Sequence, residues 1–291
     1  MEITIHMKTE FQVEQTIKAR YSERTYTEQK ISKETLEKIN KYIESLSNPF
    51  GVKVHFSILE KNAGDGNQKL GTYGVIKGAE YFIGATVEKG TGTEAFELEG
   101  LGYEFEKLIL FITSLGLGTC WLGGTFNKSS FASSLKVTDQ MIFPAISPFG
   151  YPSSKRHFTS AFIRKMAKSD QRLPWETLFF HNSFKEALSV KDAGEYELPL
   201  ELVRLAPSAS NKQPWRIVKD GNTFHFCEAK APGYSSGFTY DIQKVDLGIA
   251  ASHFELATLE KGLTGEFKKL ETPSIDIPEN TFYLFSWVLN S

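Results

Sequence analysis

The feature that most constrains this chain is an order of elements that occurs twice. From Ile31 to Leu46, the residues Leu36, Ile39, Ile43 and Leu46 share one helical face, with Ser32 placed as N-cap and Asn48-Pro49 as the stop. Val52 to Leu59 then alternates as a half-buried strand does, and a Gly/Asn/Asp-rich loop covers Asn62 to Asn67. Tyr81 to Val87 reads as a second strand, and Leu101 to Leu115 as a long buried helix ending at Gly116. The second half has a short helix from Leu198 to Ala206, stopped by Pro207. Strands follow at Arg216 to Val218 and Thr223 to Cys227 around an Asp220-Gly221 turn, then a long helix from Val245 to Glu260 ending at Gly262. Landmarks recur at similar offsets: Asn48 and Asn211 are 163 residues apart, Ser22 and Ser183 161, and Gly116 and Gly262 146. The expected fold is α+β and layered, with two related halves: 1–165, and a shorter 166–291, joined in the charged stretch Lys155 to Gln171.

Length agrees, since 291 residues at about 150 per domain allow two. The net charge of −2, from 33 basic and 35 acidic residues, gives no global basic field for nucleic acid. Cys120 and Cys227 form no Cys-x-x-Cys and no zinc-ligand spacing, which suits a reducing compartment, the cytoplasm, and no metal. Met1 to Glu10 carries charged and polar residues where an export signal needs an apolar stretch. The longest apolar stretch, Leu108 to Gly124, is broken by Thr113, Ser114 and glycines, so no membrane span is expected.

Three local patterns carry chemistry. In Arg20-Tyr21-Ser22-Glu23-Arg24, two guanidinium groups and a hydroxyl alternate, so an extended segment projects all three to one side. That suits an anion with a polyhydroxyl chain, because Arg offers forked, charge-assisted donors; the same string also occurs as solvated surface. The second is Ala206-Pro207-Ser208-Ala209-Ser210-Asn211-Lys212-Gln213-Pro214-Trp215, where a proline stops a helix and a small-residue loop exposes amides before Pro-Trp launches a strand. Such a loop wraps a planar ligand, or simply turns the chain. The third is Gly116 to Gly124, followed by Pro148-Phe149-Gly150-Tyr151-Pro152. Gly123 and Gly124 let backbone N–H groups approach a ligand. This is not a dinucleotide fingerprint: Trp121 stands where the third glycine belongs, and the string follows a helix instead of opening one.

Together, in this order, the three patterns resemble the nitroreductase family of FMN-dependent oxidoreductases, over most of the chain. The resemblance implies the family's layered fold and an FMN held jointly, with Arg-x-Ser-x-Arg from one subunit and Pro-Ser-x-x-Asn from the other. The first half keeps Arg20-x-Ser22-x-Arg24 but has Ser45 to Gly51 where the loop belongs; the second keeps Pro207 to Trp215 but has Asn182-Ser183-Phe184-Lys185 where the arginines belong. The chain thus resembles a tandem-fused subgroup, an intrachain version of the family homodimer with one complete FMN site, and a monomer is expected.

By this resemblance, Arg20, Tyr21 and Ser22 lie at the phosphate and ribityl end, and Arg24 near the flavin's pyrimidine side, where positive charge stabilises the reduced ring. Pro207, Ser208, Ala209, Ser210 and Asn211 close over the flavin, with Gln213 a further candidate. Leu122, Gly123 and Gly124 match the backbone contact to its reactive edge. Arg172 resembles a C-terminal phosphate-binding arginine, although Asp170 or Gln171 replaces the lysine that often precedes it; Lys155 and Arg156 are candidates to compensate, and Thr72-Tyr73-Gly74 to reach the flavin. The implied reaction passes hydride from NAD(P)H through FMN to a small acceptor such as a nitroaromatic or quinone, with no catalytic side chain required. Alternatives are a non-catalytic flavin-binding or sensing module, or a flavin enzyme for dehalogenation or flavin breakdown. Asp246 and His253 fall on one face of the second long helix, as an ion pair or a satisfied core histidine, and His225-x-Cys227 reads as strand packing.

Overall fold

The structure is a computed structural model that describes residues 9–62, 70–90, 95–153, 171–237, 239–271, 273 and 275–290. It divides into two units, one of Ala19–Asp170 and one of Met1–Lys18 with Gln171–Ser291.

In the Ala19–Asp170 unit, helix α2 (Lys33–Ser45) begins where Ser32 accepts the Thr35 amide at 3.1 Å, the capping bond the sequence calls for. Strands β1 (Val54–Glu60), β2 (Tyr81–Glu88), β3 (Gly118–Thr119) and β4 (Met141–Gly150) form one sheet in the order β1-β2-β4-β3, antiparallel throughout. Strand β4 is hidden in the sequence by Pro144 and Pro148, which read as breakers. Pro148 is nevertheless paired opposite Phe82, and Pro144 falls where the register with β2 shifts. Helix α3 (Glu97–Ser114) starts four residues earlier than the apolar periodicity indicates. Its acidic first turn suits the positive helix end, and Glu97 Oε1 accepts the Gly90 amide at 2.7 Å. The helix is buried around most of its circumference and ends at Gly116, whose φ of 79° needs glycine. A short helix, α4 (Lys128–Ser134), completes the unit, and Phe131 on it packs edge-on to Phe82 and Phe126.

The other unit holds a sheet ordered β6-β5-β7-β8-β10-β9, from β5 (Phe179–His181), β6 (Ser183–Ala187), β7 (Trp215–Asp220), β8 (Thr223–Ala229), β9 (Gly265–Lys268) and β10 (Thr281–Leu289). Only β5 and β7 run parallel. Short helices α5 (Trp175–Leu178) and α6 (Val190–Ala193) precede α7 (Glu197–Arg204) and the long α8 (Gln243–Glu260). Tyr196, Phe224, Phe254 and Trp287 form an aromatic nucleus between α8 and the sheet. Helix α1 (Val13–Ala19) docks here because Glu260, at the end of α8, accepts the Val13 amide at 2.6 Å and the Glu14 amide at 3.0 Å.

The order β7-β8-β10-β9, antiparallel throughout and with α8 between β8 and β9, repeats β1-β2-β4-β3 with α3 between β2 and β3. The sequence accounts for only part of this match: the expected elements end at Gly262, short of β9 and β10, although Asn280 at a φ of 59° turns the chain into β10.

Candidate functional site

The Arg-x-Ser-x-Arg segment is extended, as the alternation requires, and is fixed at both ends. Ser22 bridges Thr119 in parallel, with the Glu23 amide donating to the Thr119 carbonyl at 2.8 Å. Thr25 bridges Lys77, and the Arg24 carbonyl accepts the Lys77 amide at 2.9 Å. Glu23 turns the other way: one carboxylate oxygen accepts the Arg24 and Thr25 amides at 2.8 Å each, and the other accepts the Tyr21 hydroxyl at 2.6 Å. Gly118 makes room for it, because a Cβ there would stand 2.8 Å from Glu23 Cβ and Cγ.

Arg20 and Arg24 are the electrostatic centre of this segment. Arg20 Nε lies 3.9 Å from Glu106 Oε1, beyond hydrogen-bond reach, with both side chains buried. Arg24 donates to the Ser22 carbonyl at 3.3 Å. The Nε atoms of both arginines and Thr119 Oγ1 are buried and make no hydrogen bond among the described residues. Buried donors are normally satisfied, so these mark an unfilled demand for acceptors, each costing about 1–3 kcal/mol if left unmet. Burial pushes the Cys120 thiol up, while Arg24, a hydrogen bond with Ser22 and Arg20 pull it back. The thiol therefore lies among the same three side chains, a neighbour the sequence did not reveal.

Leu122, Gly123 and Gly124 follow directly. The Leu122 amide donates to the Ile146 carbonyl at 2.9 Å and is not available to a ligand, whereas Gly124 is exposed with open space beside it. Trp121 is held by Glu106 Oε2 at 2.7 Å. Tyr73 stands 72% exposed at a φ of 47° on the segment leading to Lys77. Lys155, Arg156 and Asp170 lie outside the described residues.

In the other unit, Pro207 to Trp215 forms a turn with Ser210, Asn211 and Gln213 all at positive φ, 48°, 54° and 49°. Each such non-glycine residue costs on the order of 1–3 kcal/mol and persists only where neighbours hold it. The holding contacts are specific. Ser208 Oγ accepts the Gln213 amide at 2.9 Å, Asp246 Oδ1 accepts the Ala209 amide at 2.9 Å, and the Tyr234 hydroxyl donates to Ser210 Oγ at 2.8 Å. Gln213, 3% exposed, is an internal strut whose Oε1 accepts the Leu173 amide at 2.8 Å. Arg172 donates to Asn211 Oδ1 at 3.4 Å and to the Leu205 carbonyl at 3.1 Å, so it buttresses the same turn.

The long-helix histidine is a core residue: His253 is fully buried with Nδ1 2.8 Å from the Leu202 carbonyl. Its pairing with Asp246 does not occur, because seven helical residues rise about 10 Å. His225 sits in strand packing, 2.8 Å from Ser286 Oγ, and burial lowers its pKa. Among the described residues no group of three or more His, Cys, Asp or Glu is placed to hold a metal, and no helix is long and apolar enough to cross a membrane.

The fold has a counterpart among solved structures. A crystal structure described as a putative nitroreductase from Thermotoga maritima is 22% identical, with 100% of each chain covered and a TM-score of 0.60, so the fold is that of the nitroreductases. The chain belongs to the family described as "Putative TM nitroreductase", whose sequence profile matches residues 12–258, and it is thereby an oxidoreductase. An FMN-dependent nitroreductase from Clostridium difficile R20291 is 20% identical over 52% of this chain and 94% of its own, with a TM-score of 0.39. A nitroreductase family protein from Clostridium novyi NT is 22% identical over 49% and 86%, with a TM-score of 0.39. No curated protein matches the chain.

Proposed function

We propose that the chain is an FMN-dependent oxidoreductase that carries reducing equivalents from NAD(P)H to a small acceptor such as a nitroaromatic or quinone. Family membership supports the class, and one observation carries the cofactor: the buried, unsatisfied Nε atoms of Arg20 and Arg24 on either side of Ser22, with Thr119 Oγ1 beside them. Two guanidinium groups with Glu106 as a distant counter-charge fit a ligand that brings its own negative charge and several acceptor oxygens. A flavin mononucleotide has both.

Bound FMN supplies the two-electron chemistry, and the chain's part is to hold, orient and shield it. Arg20 and Ser22 are assigned the phosphate and ribityl oxygens, with Tyr21 a further cofactor contact, and Arg24 the pyrimidine side, where a fixed positive charge favours the reduced ring. Pro207, Ser208, Ala209, Ser210 and Asn211 are assigned the closing surface. Gly123 and Gly124 retain backbone donors for the reactive edge, and the committed Leu122 amide leaves that residue a packing role. Arg172 acts through Asn211. The shared strand order supports reading the two units as related halves of one chain that works as a monomer, and two buried free thiols favour a reducing compartment such as the cytoplasm.

The test is the visible spectrum of the purified protein, followed by release of the chromophore. A two-band flavin spectrum with about one FMN per chain, bleached rapidly by NADH or NADPH, is expected. A flavin that NAD(P)H does not bleach would favour a binding or sensing module; a colourless protein that ignores added FMN would end the proposal.

A further inference from the structure

The turn Pro207 to Trp215 is braced from several sides, and one brace comes from a buried residue that is not itself assigned to the ligand surface. Asp246, in the first turn of α8, is 2% exposed. Its Oδ1 accepts the Ala209 amide at 2.9 Å, and its Oδ2 makes no hydrogen bond among the described residues. Ala209 immediately precedes Ser210 and Asn211, the two consecutive left-handed residues. A carboxyl placed on a long buried helix is a rigid anchor, since the helix cannot follow a shifting loop without repacking its core.

The other unit supplies a contrast at the same place in its own fold. Asp246 stands 146 residues after Gly100, as Gly262 stands 146 after Gly116. At Gly100 a Cβ would meet Val52 Cβ at 2.7 Å and Asn48 Oδ1 at 3.1 Å. There the loop before the strand closes on itself instead: Asn48 Oδ1 accepts the Phe50 and Val52 amides at 3.1 and 3.2 Å, and its Nδ2 donates to Glu104. One helix position thus either reaches out to hold an open turn, as Asp246 does, or is emptied so that a loop side chain can fill the space.

We infer that Asp246 is a positioning residue for flavin binding: by fixing the Ala209 amide it holds Ser210 and Asn211 in the conformation that receives FMN. The inference rests on the function proposed above. Burial first, then Glu228 and Asp241 facing it, raise the Asp246 pKa well above the usual range while the Ala209 bond opposes them; Tyr234 is a further titratable neighbour. A role for the hydrogen bond itself therefore predicts rescue by the amide, which keeps the acceptor and removes the titration.

The experiment compares Asp246→Asn, which keeps an oxygen at Oδ1, with Asp246→Leu, which fills the volume and removes the acceptor; Asp246→Ala replaces the latter if it does not fold. FMN is titrated by fluorescence quenching, and exchange of the Ala209 amide is followed in the flavin-free protein. Expected are at least a tenfold higher FMN Kd and faster Ala209 exchange in Asp246→Leu, with Asp246→Asn within about threefold of wild type in both. His253→Ala, which removes a buried side chain from the same helix, controls for destabilisation and should leave Kd within about twofold. Wild-type FMN affinity in Asp246→Leu, or equal weakening in His253→Ala, overturns the inference. A wild-type chain that does not bind FMN overturns the parent reading and this one with it, and that failure is read in the wild-type titration alone.

Discussion

The Glu106 carboxylate accepts the Trp121 indole N–H at 2.7 Å through Oε2 while Oε1 lies 3.9 Å from Arg20 Nε, and Glu106 itself is fully buried. One helical acid therefore ties together the start of the arginine segment and the residue before Leu122-Gly123-Gly124. Glu106→Ala takes the acceptor from the Trp121 indole N–H and removes the carboxylate that stands 3.9 Å from Arg20 Nε, inside the protein. Breaking a buried, partnered charge costs about 3–5 kcal/mol. Denaturant unfolding should show a loss of that order, with altered Trp fluorescence; a loss below about 0.5 kcal/mol would show that the buried acid is not structural.

Gly118→Ala tests the arginine segment without touching an arginine. The new Cβ would stand 2.8 Å from Glu23 Cβ and Cγ, and Glu23 fixes the Arg24 and Thr25 amides. Overpacking of this kind costs about 1–3 kcal/mol. Expected are a lower unfolding midpoint and weaker FMN binding together, whereas unchanged flavin affinity would separate Glu23 from the site.

His253→Ala distinguishes a core histidine from a catalytic one. The ring is fully buried and bonds the Leu202 carbonyl, so its removal leaves a cavity and an unsatisfied acceptor worth about 2–4 kcal/mol. Stability should fall while the rate of flavin reduction by NAD(P)H in the folded protein stays the same. A large rate loss with unchanged stability would give His253 a catalytic role instead of a core one.

Stability should fall between about pH 5 and pH 8. Burial raises Glu104 and Glu255 to about 7, and burial with the Asp241 carboxyl raises Glu228 to about 8. Carboxyls with raised folded-state values bind protons more tightly when folded, so their contribution is complete below the ordinary 4.5 and is lost as pH rises through 7 and 8. Lys107, lowered by burial to about 8, acts oppositely, adding stability as pH rises from there towards its ordinary 10.5. Urea midpoints at pH 5.5 and 8.5 measure the sum, and Glu228→Gln should flatten the slope. A rise in stability over that interval would contradict the buried-carboxyl account.

A native mass near 32.7 kDa is expected for a monomer. Sedimentation or light scattering reads it directly, and a mass near twice that value would reverse the expectation drawn from the fused arrangement.

Local chemistry made much of this legible. Ser32 capped its helix, Asp220-Gly221 turned its hairpin, and Gly116 and Gly262 ended the two long helices at positive φ, because each effect acts within a few residues. Strand β4 escaped because prolines that usually break strands are tolerated opposite Phe82 and at a register shift. Strand β9 escaped because Gly265–Lys268 is short and carries one strand-forming side chain, Phe267, so its pairing with β10 defines it; β10, rich in aromatic and β-branched residues, was legible, and the sequence expectations stopped short of it. At the candidate site, the extended Arg-x-Ser-x-Arg and the turn after Pro207 were readable as strings. Their supports were not: Glu23 looked like one more surface acid, and Gln213 like a ligand contact when it is a buried strut.

Taken by itself, the sequence determined the helix, two strands and long helix that recur in each half, the alternation that sets Arg20, Ser22 and Arg24 on one side, and the family to which the chain belongs. The tertiary structure decided which polar group meets which. The Ala209 amide and Asp246 are 37 residues apart, Glu106 and Trp121 are 15, and the Val13 amide and Glu260 are 247. Hydrogen bonds form over about 3 Å in space, whatever the distance along the chain, so periodicity can assign a face to Asp246 but only the packed helix and turn can give it a partner.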